Sequence, residues 1–266
     1  MNIVTQLAEE LKIRPQQVEA AVTLIDEGNT IPFIARYRKE ATGALNDEVL
    51  RNLQERLVYL RNLEEKKQQV MRSIEEQGKL TEELKRKIEM ATTLVAVDDL
   101  YLPYRPKKRT RATMAKERGL EPLADILFHQ ETTRSMEEEA LPFLNEENGV
   151  PTVEAAIAGA KDILAETIAD NAEFRKSIRK WSMKEGNLIV KAKDEKEESV
   201  YEMYYDFREP LEKISGHRVL AINRGEKEKI LTVKVEAPER QILHALNKTL
   251  IRGENPNTEP YIREAI

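Results

Sequence analysis

The chain has 266 residues, of which 34% are charged and 5% aromatic, and its formal net charge is -5. That length supports one or two domains with a real core, and the charge content points to helices with narrow apolar faces. The lack of cysteine excludes disulfides, thiolate catalysis and Cys-based zinc sites. The acidic balance restricts any nucleic-acid surface to a local patch. No stretch approaches ~18 continuous apolar residues, and the start of the chain lacks the apolar centre of a signal peptide, so a soluble cytoplasmic protein without membrane contact is expected.

Ile3, Leu7 and Leu11 recur at helical spacing, and Pro15 opens a second helix with Val18, Val22 and Ile25 on one face. Gly28 and Asn29 suit a turn. Thr30 is placed to cap a third helix, and Pro32 fits its first turn. Phe33, Ile34 and Tyr37 form the expected apolar side, Arg36, Arg38 and Lys39 the rest, and Gly43 is placed as the helix stop. Residues 1–45 thus read as a helix-turn-helix-like unit whose third helix carries the basic side chains. Those cations either contact nucleic acid or belong to a solvated scaffold.

Asn46 or Asp47 opens a long helix. Leu50, Leu53, Leu57 and Leu60 follow a 3-4-3 spacing, as in a coiled-coil seam. The seam runs on to Val70, Met71 and Ile74 before Gly78, about 32 residues or roughly 48 Å at ~1.5 Å per residue. Thr81 caps a second helix through Leu84, Ile88 and Ala91, which makes a hairpin. Lys66 and Lys67 are expected to be exposed on the long helix. Pro103 and Pro106 then predict an extended segment over 98–111. It holds five cations within seven residues: Arg105, Lys107, Lys108, Arg109 and Arg111. A short helix from about Thr110 to Arg118 closes this 46–128 region.

The acidic stretch Gln130–Gly149 reads as an irregular hinge. Region 150–266 opens with a helix capped by Thr152, in which Ala155, Ala156, Ala158 and Gly159 permit close helix approach, and another helix runs through Phe174, Ile178 and Trp181. Apolar, β-branched runs then predict antiparallel strands over 187–193, 217–223 and 229–235, the last two joined by Asn223–Lys227. Tyr201, Tyr204, Tyr205 and Phe207 are placed on a helix ended by Pro210. The last ~30 residues return to helix. The fold class is therefore mainly α, with an N-terminal helix-turn-helix-like unit, a long helical hairpin and a small antiparallel sheet.

No glycine-rich phosphate loop precedes a helix, and His129, His217 and His244 lack metal-ligand spacing. Asp98 and Asp99 are the tightest apolar-flanked carboxylates; they fit capping or pairing with the basic cluster better than a cation site. Catalytic residues, metal and cofactor are accordingly not expected. Arginine forks match phosphate oxygens, so the Arg105–Arg111 cluster either follows a phosphate backbone or clamps internal acids.

Three long words carry a resemblance: Glu27–Gly43, Asp98–Arg111 with Gly119–Ala124, and Tyr204–Pro210 with His217–Glu226. In composition and order they resemble the bacterial transcription accessory protein family Tex, over essentially the whole chain. The resemblance implies an N-terminal helical region of a longer nucleic-acid-binding protein. It also implies RNase H-like, helix-hairpin-helix and OB-fold domains beyond Ile266, the last carrying the principal RNA-binding surface. Three functions compete. One is a non-catalytic module binding RNA or DNA weakly and without sequence preference through Arg36, Arg38, Lys39 and the Arg105–Arg111 cluster. Another is a scaffold that orders further domains or docks transcription machinery. The third is part of an enzyme, such as a nuclease, whose active site is expected beyond Ile266.

Overall fold

The computed structural model describes residues 2–253 and 255–266, and the chain divides into two compact units, Met1–Tyr104 and Arg105–Ile266. Both are built mainly from helices, as the spacing of apolar residues predicts.

The first unit contains α1 (Ile3–Leu11), α2 (Pro15–Asp26), α3 (Ile31–Tyr37), α4 (Asp47–Glu76), α5 (Glu82–Met90) and α6 (Leu94–Tyr101). Local chemistry sets several starts. Oδ1 of Asn46 accepts from the Val49 amide at 2.8 Å, and Oγ1 of Thr81 from the Leu84 amide at 3.2 Å. Pro15 and Pro32 sit in first turns, where a missing N–H leaves nothing unpaired. The α4 seam is the core: Leu50, Leu53, Leu57, Leu60 and Leu63 are all buried, and Val70 and Ile74 extend the row. Each such side chain contributes roughly 2 kcal/mol on leaving water. Leu7, Val18, Ile31 and Ile34 from the first three helices pack on this row. Two arginines of α4 fasten the arrangement. Arg56 binds Glu10 of α1 at 2.6 and 2.8 Å, and Arg61 binds Asp26 of α2 at 2.7 and 2.8 Å. Hydrogen bonds from these guanidinium groups hold both carboxyls below their usual range.

Three expectations for this unit change. Lys67 is buried, its ammonium donating to the Glu89 carbonyl at 2.8 Å, and Lys66 pairs with Asp98 at 3.0 Å. The aliphatic stem of lysine lets it join an apolar seam while its head reaches a carbonyl. Helix also continues through Asp98–Tyr101, because Thr93 caps it and Val97 faces the core. Pro103 falls in the following 3-10 turn, Leu102–Tyr104, so only the residues after it are irregular. Finally, α3 ends at Tyr37, and Gly43, with φ +61°, terminates the turn beyond it rather than the helix.

The second unit contains α7 (Arg111–Glu117), α8 (Glu121–His129), α9 (Met136–Ala140), α10 (Val153–Asp170), α11 (Ala172–Glu185), β1 (Asn187–Ala192), β2 (Asp206–Pro210), α12 (Gly216–Lys227), β3 (Leu231–Glu236), α13 (Glu239–Leu250) and α14 (Glu259–Ala265). Helix α10 is its axis and packs against α7, α8, α9, α11 and α14. At Gly159 a Cβ would stand 2.4 Å from Cδ1 of buried Leu120 and 3.2 Å from Cβ of Ala115, so the small residue sets the α7–α10 approach. The expected hinge over Gln130–Gly149 is instead packed. Met136 and Ala140 are buried, and Asn145 pairs with Val150 through two backbone bonds of 2.8 Å. The Gln130 side chain donates to the Leu250 carbonyl at 2.7 Å and accepts from the Arg252 amide at 2.8 Å.

The sheet is antiparallel in the order β2-β1-β3. The segment expected as a strand at 217–223 lies in α12, and β2, at 206–210, supplies the third strand. Ile222 and Gly225 are buried three residues apart, a helical spacing that turns one face of α12 to Leu231 and Tyr201. The helix expected for the tyrosine cluster is likewise a 3-10 turn at Glu202–Tyr204 leading into β2. Phe207 pairs with Val190 in register and meets Tyr204 edge-on at 5.4 Å, so cross-strand packing overrides helical spacing here.

The α7–α10 contact yields a test. Gly159→Val is expected to destabilise the chain by about 2 kcal/mol through overpacking. Ala158→Val, on the exposed side of the same helix, should cost well under ~1 kcal/mol. Paired denaturant melts check the difference.

Candidate nucleic-acid interface

The basic side chains singled out by the sequence fall in both units. In the first, burial of Ile31 and Ile34 fixes the rotation of α3, which leaves Arg36 exposed, followed by exposed Arg38 and Lys39. None of the three forms an ion pair among the described residues. Phe33 and Tyr37, expected on the apolar side, are 37% and 63% exposed. Their ring centroids are 5.3 Å apart, and the Arg38 guanidinium lies 5.5 Å over the Phe33 ring. The short helix has room to bury only one stripe, so these rings remain at the surface beside the cations.

In the second unit, Arg105–Thr110 form the loop that leads into α7. Lys107 is held there between Asp170 and Glu166, both on α10; its ammonium donates to Asp170 and stands 3.3 Å from Glu166. Thr110 reinforces the clamp. Its hydroxyl donates to Glu166 at 3.0 Å and accepts from the Thr113 amide at 3.0 Å, which caps α7. The other cations differ. Arg105 and Lys108 are exposed and form no ion pair among the described residues. Arg109 lies 3.6 Å from Glu117 with 73% of its side chain exposed, and Arg111 lies 3.5 Å from Asp162 with 83% exposed. Such long, solvated contacts are worth little and open readily. One of the five cations is therefore an internal fastener, and the other four are exposed to solvent.

Other candidate chemistry is dispersed. Asp98 pairs with Lys66, and Asp99 is buried on α6. His129 lies on α8 with Nδ1 2.8 Å from the Asp125 carbonyl, while His217 and His244 lie on α12 and α13. Among the described residues no three His, Asp or Glu side chains are gathered to hold a metal ion, and no helix is long and apolar enough to cross a membrane. The cations of α11 carry no contiguous signal in the sequence, because they are spread at helical intervals; a charge count per helix face reveals them.

Residues 1–75 match the profile of the Tex-like protein N-terminal domain, and residues 131–258 match that of the Tex central region. Among curated proteins, YdcI of Bacillus subtilis is 44% identical over 264 residues, 98% of this chain and 37% of its own length. The transcriptional accessory protein Tex of Neisseria gonorrhoeae is 46% identical over 238 residues, covering 89% of this chain and 31% of that protein. The human S1 RNA-binding domain-containing protein 1 is 31% identical over 243 residues, 88% of this chain and 24% of that protein. The chain thus spans about a third of the length of these two bacterial relatives.

The clamp predicts unequal roles for adjacent lysines. Lys107→Ala leaves two half-buried carboxylates facing each other and is expected to cost about 1–2 kcal/mol. Lys108→Ala should stay within about 0.5 kcal/mol. Thermal unfolding of the two variants measures the contrast.

Proposed function

We propose, for a chain that belongs to the Tex family of transcription accessory proteins, that it is the family's N-terminal helical scaffold and a non-catalytic contact for nucleic acid. The observation that carries this reading is the loop in which Lys107 is tied down while Arg105, Lys108, Arg109 and Arg111 stay in solvent. An anchored loop presents its cations without losing much freedom on binding, and each arginine fork donates to two phosphate oxygens. Arg36, Arg38 and Lys39 supply a second patch, where Phe33 and Tyr37 offer stacking surface for bases. The names of two relatives, a transcriptional accessory protein and an S1 RNA-binding domain-containing protein, support the same class of ligand. Contacts of this kind read phosphate and not sequence. The separated histidines and engaged Asp98 supply no constellation for hydrolysis.

A second reading has its own support. Lys107, Arg109 and Arg111 all face carboxylates of their own unit, which fits a pure scaffold that orders further domains or docks transcription machinery. Salt titration of binding to single-stranded RNA and duplex DNA separates the two. With about four phosphates neutralised on a single strand, log K should fall against log salt with a slope near -2.8, a loss of about 50-fold between ~50 and ~200 mM. Arg105→Glu/Lys108→Glu should reduce the magnitude of that slope by about 1.4. Lys85→Glu, on exposed α5 surface, should leave it unchanged. Equal affinity of parent and folded double variant would assign the loop to the scaffold.

A further inference from the structure

Helix α11 is the least buried long helix of its unit, with none of its 14 residues fully buried. Its composition is also unlike the chain as a whole. Helices α11 and α13 lie against each other and together carry seven Lys and Arg against three Asp and Glu, in a chain whose net charge is -5. Lys176, Lys180 and Lys184 recur at i, i+4 and i+8, so they form one stripe along the helix. All three are exposed, and none forms an ion pair among the described residues. The adjoining stripe, Glu173, Ser177 and Trp181, lines a cavity of about 350 Å³ against α13, whose far wall includes Lys248 and Thr249. Ser177 with Lys180 and Trp181 with Lys184 are i, i+3 neighbours, so the lysine stripe borders the cavity on one side while Lys248 borders it on the other. Glu173 is the one carboxylate among the residues that line it.

We propose that this face of α11 and α13 is a second binding site, for single-stranded nucleic acid, distinct from the Arg105–Arg111 loop. Lys176, Lys180 and Lys184 follow successive phosphates. Trp181 offers a stacking surface at the cavity edge, with Ser177, Thr249 and Lys248 within the same hollow for the polar edge of a base. Three features combine here that a merely solvated helix face does not need: a lysine row free of carboxylate partners among the described residues, an aromatic ring left half-buried, and a hollow of sufficient size beside that ring. Stacking on aromatic side chains tolerates any base, and phosphate contact tolerates any sequence. The site does not depend on the loop reading, since it shares no residue with it.

Trp181 is the only tryptophan in the chain, so its fluorescence reports on this site alone. Titration of the full chain with short oligouridylate or oligothymidylate at low salt is expected to quench Trp181 emission, in step with binding seen by anisotropy of a labelled strand. Lys176→Glu/Lys180→Glu/Lys184→Glu changes exposed positions only; it should weaken binding at least about 10-fold and reduce the salt slope by about 2. Trp181→Ala, followed by anisotropy, should weaken binding about 10-fold, and Trp181→Phe should retain most of it. Arg105→Glu/Lys108→Glu should leave the quenching intact, which separates failure of the loop site from failure of this one. Binding that leaves Trp181 emission unchanged, or that the folded lysine variant retains at parental affinity, would overturn the proposal. Preference for an acidic helical peptide over either oligonucleotide, with the same quenching, would also overturn it and mark the groove as a protein-docking surface.

Discussion

One ammonium group decides what the basic loop of this protein is. Lys107 sits between Asp170 and Glu166 near the end of α10, and that contact fixes the path of the chain into α7. Five adjacent cations repel one another, and a free loop of this composition would sample many paths. Neutralising one of them internally lowers that repulsion and leaves the rest displayed from a defined backbone. The same carboxylates also limit the patch. Asp162, Glu166 and Asp170 on α10, with Glu117 on α7, oppose a polyanion at close range, so the binding proposed for this patch is weak and readily screened by salt.

The fold solves the problem posed by a highly charged chain in the same economical way. A single row on α4 supplies much of the first core, and α10 plays the equivalent part in the second unit through Ala156, Ile157, Ala160, Ile163 and Leu164. With the apolar residues gathered on two helices, their neighbours need only one buried stripe each. Short helices such as α3 then expose residues of both kinds, and this is why Phe33 and Tyr37 stand beside Arg36 and Arg38. The α11–α13 face follows from the same shortage of apolar surface.

Much of the helical architecture is legible in the residues themselves. The 3-4-3 leucines, the prolines at first turns and the caps Asn46, Thr81 and Thr152 act over a single turn, so local spacing reveals them. What stays hidden depends on partners distant in sequence. His217–Ile222 has the composition of a strand, yet Ile222 and Gly225 must share a face to meet Leu231 and Tyr201. Phe207 becomes a strand residue because Val190 is its partner. At the candidate site, the basic composition is plain from the sequence, but the division between Lys107 and its four neighbours is not. That division rests on carboxylates more than fifty residues away, which carry no local signature.

The most direct test of the central claim is residue-by-residue chemical-shift mapping of the chain during titration with single-stranded RNA at low salt. Progressive shifts of the backbone amides of Arg105 and of Lys107 to Arg111 are expected, with the Lys107 ammonium remaining bound to Asp170 and Glu166 throughout. Saturable RNA binding whose perturbations spare residues 105–111 would contradict it.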